Sequence, residues 1–427
     1  MKNQYNYKKL SLLALCLAAT TAMPAYAQLE QPLEQLNNVL SKNEEALKYS
    51  AVKVKAGIRA QTEYNDNIFR SPSEEEQDLI TRIIPRVRVS SDLEKHEISF
   101  DARLEQGLYL ENTENDYTDI RLEADGRYDI NDFNALHLGV GYEREHIDIG
   151  SFIDDPESSL TEPVTFDVFY ANTSYEGQYE KIKVATGVDF SNFDFDNVLA
   201  LDGDLSIQDD RDRFHLDIFN QIGYEYTEGG DVYIRGTYSR ISHDERIDSS
   251  EDFTRNSDGF QIVVGTSLDN DNSPFSYNAY VGFTRRDFDA SELPDVSIPD
   301  LFVDATWKVD ERNKLDLDLS RTIRNSFSTG ESAFVRSRAR VRGTHKLNDQ
   351  IAADLTLSYT ENNFETNTDI EPLDREDDIF DIRLGISYEP IEDLVVRGEY
   401  RFDDRSSNDD TVEFDRQRVG LTVSYKF

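Results

Sequence analysis

The chain has 427 residues, 38% of them hydrophobic and 30% charged, with a formal net charge of −40 at pH 7. That balance excludes nucleic-acid binding through a basic surface, because neutralising phosphates needs clustered Lys and Arg. Beyond the first 27 residues no apolar run is long enough for a spanning helix, a test that does not apply to barrel strands, which show lipid only at every second residue.

Residues 1–27 read as a secretory signal peptide. Lys2, Lys8 and Lys9 form the positive region, Leu10 to Ala22 the apolar one, and Ala25-Tyr26-Ala27 puts small residues at −3 and −1 before Gln28. Cleavage after Ala27 removes three lysines and takes the formal charge from −40 to −43. It also removes the single cysteine, Cys16, which follows bulky Leu15 instead of the small residue a lipoprotein signal requires. Disulfide and thiol chemistry are thereby excluded.

In residues 28–50, Leu29, Leu33, Leu36 and Leu40 recur at helical spacing, which predicts one short amphipathic helix in the periplasm. It is either a plain leader or a segment that docks or plugs the lumen.

From residue 51 to 427 the period is two. Val54, Ala56, Ile58 and Ala60 alternate with Lys53, Lys55, Gly57 and Arg59, and near the end Val419, Leu421, Val423, Tyr425 and Phe427 alternate with Arg418, Gly420, Thr422, Ser424 and Lys426. The alternating runs predict 18 strands, with 16 as the alternative. They fall near residues 52–65, 78–91, 96–110, 117–129, 135–147, 164–178, 181–194, 211–226, 231–243, 257–268, 274–288, 300–309, 313–325, 333–347, 350–363, 378–389, 393–404 and 413–427. The sixth and twelfth have the weakest alternation.

A single alternating strand also suits a soluble sandwich. Three further features favour a closed antiparallel transmembrane β-barrel. Short turns such as Asn131–Asn134 and Thr227–Gly230 alternate with long acidic loops such as Asp66–Gln77, Asp148–Glu162, Asp196–Asp210 and Asp244–Arg255. Aromatics form two girdles: Tyr64, Tyr142, Phe190, Tyr359 and Tyr400 near the loops, and Tyr128, Tyr224, Phe275, Tyr388 and Tyr425 near the turns. The last strand ends on outward-facing Phe427, the kind of terminus that the barrel-assembly machinery reads. The expected location is the Gram-negative outer membrane, with both termini periplasmic. The acidic loops are either simply solvated or bridged to lipopolysaccharide phosphates through divalent cations.

The pleat assigns the lumen-facing residues. The strand at 333–347 points Arg336, Arg338, Arg340 and Arg342 inward, and the last strand adds Arg416, Arg418 and Lys426. The first adds Lys53, Lys55 and Arg59, and the second adds Arg82, Arg86 and Arg88. Arg383, Arg397 and Arg401 lie between, mixed with Asp381, Glu399 and Asp403, while strands five to seven and ten to twelve read as mostly neutral or acidic. An acidic protein thus encloses a basic half-pipe whose field favours anions. The plainer alternative is that each arginine braces the wall by pairing with an acid on the next strand.

No catalytic constellation stands out, and no cofactor or metal is expected. Six histidines are scattered, and Ser242-His243-Asp244 is consecutive, so its side chains cannot converge as a triad does. No metal-ligand spacing or phosphate loop is present.

At Tyr64-Asn65-Asp66-Asn67-Ile68-Phe69-Arg70, followed by Ile84-Pro85, the chain resembles the putative β-barrel porin type 2 family, and the general layout fits over about residues 52–427. Such proteins are often encoded among exopolysaccharide or capsule secretion genes, so the resemblance implies passage of a polysaccharide and carries no catalytic residues. Locally, Asn and Asp suit the turn that opens the first loop. The reading is an outer-membrane exporter of an exopolysaccharide, expected to be anionic, in contact with periplasmic secretion components. The alternatives are a diffusion porin for small solutes and a structural or adhesive barrel.

Overall fold

The computed structural model describes residues 47–49, 52–91, 93, 95–151, 160–200, 203–244, 254–326, 331–366 and 375–427. The signal sequence and the four leucines of the expected helix lie outside the described residues.

The chain forms eighteen long strands: β1 (Val52–Asn65), β2 (Asp78–Ser91), β3 (Glu97–Tyr109), β4 (Tyr117–Asn131), β5 (Asn134–Ile147), β6 (Val164–Tyr179), β7 (Ile182–Phe195), β8 (Arg213–Thr227), β9 (Gly230–His243), β10 (Ser257–Leu268), β11 (Phe275–Phe288), β12 (Val296–Lys308), β13 (Asn313–Asn325), β14 (Glu331–Lys346), β15 (Ile351–Thr366), β16 (Glu376–Ile391), β17 (Leu394–Ser407) and β18 (Phe414–Lys426). Each pairs antiparallel with its sequence neighbours, and β1 pairs with β18 from Gly57↔Lys426 to Asn65↔Arg418. That last pairing closes the barrel, so no long sheet edge is left unpaired. Where β18 runs out, Phe427 donates its backbone N–H to the Ala56 carbonyl, and Leu47–Tyr49 pairs with Val52–Val54 in β18's place. The end of the 28–50 segment is therefore strand.

The period-two pattern decides the faces. Ile262 and Val264 on β10, and Val281 and Phe283 on β11, stand exposed on the outer surface, while Val263 between them is buried inside. Tyr64, Tyr142 and Tyr359 are exposed near the loops, and Tyr128, Tyr224, Phe275, Tyr388 and Tyr425 near the turns, as two interfacial girdles require. The loop-side rings are anchored through their hydroxyls: Tyr64 donates to Gln77 (2.6 Å) and Tyr142 to Asp167 (2.8 Å). Strands of this length, tilted, exceed the nine to eleven residues or so that a span needs.

Two-residue turns join β4 to β5, β6 to β7, β8 to β9 and β16 to β17. Gly229 in one of them has φ +72°, and a Cβ there would meet the Asp269 carbonyl oxygen at 2.1 Å, so the turn needs glycine. Both ends of the barrel segment lie on this short-turn side, and the long loops lie on the other.

The sixth strand is where the pattern placed it. The twelfth begins at Val296, four residues before the expected start, with Pro299 inside it. Proline has no N–H to give. Pro299 pairs with Phe283 of β11, but the β12–β13 ladder has already ended at Leu301↔Arg321, so no donor is missed on that side. Pro85 sits in a similar lapse, between the Ile83↔Gln106 and Arg86↔Arg103 pairs of β2 and β3.

Candidate channel lumen and its basic wall

The structure places Arg340, Arg342, Arg418, Arg59, Arg82, Arg86 and Arg88 on the inner face, because their outward neighbours are the lipid-facing ones: Val341 beside Arg340 and Arg342, Val419 beside Arg418, Ile58 beside Arg59, and Ile83 and Val87 beside Arg82, Arg86 and Arg88. What it adds is the partners across the strands. Arg82 binds Glu63 (3.2 Å) and Arg86 binds Asp101 (2.8 Å), while Arg88 stands opposite Asp101 in register. Arg416 and Arg418 share Asp403, at 2.6 and 2.7 Å, and Arg401 reaches both Asp381 (2.5 Å) and Asp403 (3.8 Å). Arg342 lies 3.5 Å from Asp354, which Arg397 also grips at 2.6 Å, and Arg340 lies 3.8 Å from Asp318. Across the barrel seam the half-pipe is thus a ladder of alternating charges in which pairing offsets much of the field. Lys53 and Lys55 lie at its turn end, Lys55 opposite Arg88.

The four-arginine row of β14 divides in two. On one side Arg342 and Arg340 face Asp316 and Asp318 of β13, whereas Arg338 and Arg336 face Ser320 and Thr322. On the other side the whole row faces Thr356, Ser358, Thr360 and Asn362 of β15. Arg336 donates from Nε to the Asn362 side chain at 2.9 Å and lies over the Phe334 ring. No acid stands opposite the loop-end pair in either ladder.

The same end of β13 and β14 leaves the barrel wall. Ile323, Ala333 and Val335 have outward parity, yet they are 6%, 0% and 2% exposed and pack against Val296, Ile298 and Phe288. Those last three lie on the inner faces of β11 and β12. The hairpin tip therefore leans across the inside of β11–β12, which explains why the β12–β13 ladder stops early. Arg286 of β11 pins it by donating to Asn325 at 2.5 Å. The lean carries Arg324, on the lumen face of the tip, into the neighbourhood of Arg286 and Arg338. Arg286 is a basic exception in a wall expected to be mostly neutral or acidic at strands ten to twelve. Its parity was readable, but its company depends on a bend that no strand pattern encodes.

The first loop narrows the mouth from another side. Asn67 is fully buried: its side-chain amide donates to the Ser71 and Asp415 carbonyls, and its oxygen accepts from Ser71 N–H. Asp66 exchanges bonds with Gln417 of β18. The motif thus locks the seam between β1 and β18 and turns Ile68 and Phe69 inward onto Ile80, Tyr109 and Tyr117. Arg70, with φ +53°, then binds Asp148 (2.9 Å) and the Ile149 carbonyl of the loop after β5. Gly150 of that loop presses on the Phe69 carbonyl, where a Cβ would come within 1.8 Å. Desolvation opposes the charge on Asp148, but the His146 hydrogen bond and the Arg70 guanidinium hold its carboxyl well below the usual range. Farther round, β6 and β7 line the loop end with Phe166, Val168, Phe193 and Phe195, and Arg213 of β8 lies 4.2 Å over the Phe193 ring.

His243 points inward opposite Arg213, so Ser242 and Asp244 flank it on a strand whose consecutive side chains diverge. Among the described residues no three His, Cys, Asp or Glu side chains are grouped to hold a metal ion.

A family model described as putative beta-barrel porin 2 matches residues 53–427. Among solved structures, the outer membrane protein OpdK of Pseudomonas aeruginosa is similar at 13% identity and a TM-score of 0.45, covering 88% of this chain and 99% of that one. OccAB4 of Acinetobacter baumannii is similar at 12% identity and a TM-score of 0.46, again covering 88% and 99%. OccK5 (OpdH) of P. aeruginosa gives 12%, a TM-score of 0.44, and 88% and 98% coverage. No curated protein matches the chain. With the match running from the first strand to the last, the chain belongs to the putative beta-barrel porin 2 family, as a porin-type barrel of the outer membrane.

Proposed function

We propose that this barrel is the outer-membrane channel through which an anionic exopolysaccharide leaves the cell. The observation that carries the reading is the β14–β15 face, where a row of four arginines runs beside Thr356, Ser358, Thr360 and Asn362. Guanidinium groups attract carboxylates, and hydroxyl and amide side chains exchange hydrogen bonds with sugar hydroxyls. A polymer moves along such a face by many weak contacts, strong enough to enter and weak enough to leave. On this reading Arg82, Arg86, Arg416 and Arg418 hold the wall through their acids and lend the passing chain secondary contacts. Lys53, Lys55 and Arg88 collect polymer toward the turn end, and Arg59 lies farther along the wall beside Arg82. The family resemblance to proteins of exopolysaccharide secretion clusters supports the same cargo. In the cell, residues 1–27 are removed, the turns and termini face the periplasm and its secretion components, and the long acidic loops face outward.

Deleting the gene tests the proposal. Surface polymer should be lost while its synthesis continues inside the cell, and an unchanged surface would overturn the export reading. If liposomes containing the protein swell in small neutral sugars and the deletion leaves surface polymer intact, the barrel is a diffusion porin.

A further inference from the structure

We infer that the lumen wall holds a slot for one pyranose ring of the cargo, walled by the Phe302 ring and floored by Ser320. This rests on the reading of a polysaccharide cargo and specifies how a sugar ring, as opposed to its charge, is held.

One row of the inner face carries the slot. From β11 to β15 the registers set Tyr280, Phe302, Ser320, Arg338 and Thr360 side by side. Their parity is fixed by Val281 and Leu301, which are exposed on the outer surface. The Tyr280 and Phe302 rings stack, with centroids 5.3 Å apart and planes 19° from parallel. Stacking takes up one face of Phe302 and turns the other toward Ser320 on β13. Neighbouring strands lie about 4.8 Å apart, so the backbones carrying Phe302 and Arg338 stand roughly 10 Å apart. Only a hydroxymethyl group lies between them, which leaves room for a six-membered ring. Phe302 and Ser320 are both half-buried, so the slot opens to the bore.

Phe302 differs from the rings that brace the wall. Tyr117, Phe219 and Tyr233 each lie over a glycine of the next strand (Gly107, Gly187 and Gly265), where a Cβ would strike the ring, and all three are buried. Those rings fill gaps in the wall. Phe302 fills none, because its free face looks onto a serine. The arrangement suits a sugar: the electron-rich face of an aromatic ring takes the C–H face of a pyranose. The Ser320 hydroxyl and the Arg338 guanidinium at the rim exchange hydrogen bonds with the ring hydroxyls. A linear polyether has neither the flat C–H face nor the hydroxyls.

Saturation-transfer NMR of the full-length protein in amine-oxide micelles, whose headgroups contain no sugar, tests the slot with cellohexaose and with polyethylene glycol of the same mass. The wild type should bind cellohexaose at least tenfold more tightly than the polyether. Phe302→Leu should lose at least tenfold, and so should Ser320→Leu, which fills the slot and leaves the ring in place. Phe302→Tyr should stay within twofold of wild type, and so should Phe219→Leu, which removes a bracing ring. Heat-modifiable gel mobility shows which variants are folded, and Ser320→Leu decides the case if Phe302→Leu is not. Absent wild-type binding, equal binding of the polyether, undiminished binding in the folded slot variants, or an equal loss in Phe219→Leu would overturn the slot. Surface polymer that survives gene deletion while cellohexaose binding keeps the expected pattern would instead defeat export and leave the slot standing.

Discussion

The two halves of the arginine row in β14 look alike in sequence and differ in what surrounds them. Arg340 and Arg342 stand opposite Asp318 and Asp316, and Asp354 lies 3.5 Å from Arg342. Arg336 and Arg338, one turn of the pleat nearer the loops, meet hydroxyl and amide groups on both sides. In the first half the fixed charges are matched within the wall. In the second the directly opposite residues are neutral. A basic stripe therefore says little about ion preference until the neighbouring strands are placed in register, because the pairing that decides the field runs across strands.

The largest effect should come from the matched region. Asp403 bridges Arg416 and Arg418, with Arg401 at 3.8 Å, and it is nearly fully buried. Asp403→Asn strips that charge from a buried network, and breaking such a pair costs about 3–5 kcal/mol. The expected outcome is a large fall in the temperature at which the folded barrel converts to the unfolded gel band, together with a gain in anion preference from the released arginines. Unchanged stability would mean that the wall does not depend on this carboxylate.

Much of this comparison was legible in the sequence and part of it was not. The inward positions of Arg336 to Arg342 followed from alternation alone, since Val341 and its like must face lipid. The ion pairs required the register, which follows from closure and turn lengths rather than from any one strand. The lean of the tip was hidden altogether. Ile323, Ala333 and Val335 obey the same parity as lipid-facing residues, and only the apolar inner face of Val296, Ile298 and Phe288 gives them a different surface to cover. The seam motif was half legible: Asn67 does start a turn, but its amide also reaches the Asp415 carbonyl, 348 residues away in the chain.

A reciprocal pair of substitutions tests the contrast within β14 itself. Ser320→Asp places an acid opposite Arg338, as Asp318 faces Arg340, and Asp318→Ser does the reverse. Ser320→Asp should lower the anion-to-cation permeability ratio several-fold, and Asp318→Ser should raise it. Arg340 and Asp318 are partly exposed, so the stability change in Asp318→Ser should stay within about 1 kcal/mol. If both variants moved selectivity in the same direction, or neither moved it, the two halves of the row would be functionally equivalent.

The smallest energetic effect is expected at the opposite side of the mouth, where the constriction is a latch between loops. Arg70 and Asp148 are partly exposed, so losing their bond should cost no more than about 1 kcal/mol. The functional effect should be larger than the energetic one, because that bond ties Ile68–Phe69 to the loop after β5. In single-channel recordings Arg70→Ala should therefore increase current noise and mean conductance while leaving ion selectivity as in the wild type. Acid should reproduce this only at low pH. The Asp148 carboxyl is held below its ordinary value, so the latch is at full strength above the usual carboxylate pKa of about 3.9 and weakens as pH falls through the depressed one. Recordings at pH 7 and pH 5 should then match in the wild type, and Arg70→Ala should be noisy at both. A change of selectivity in Arg70→Ala would mean that the latch also positions the arginine tip, and that the two narrowings of the mouth act as one.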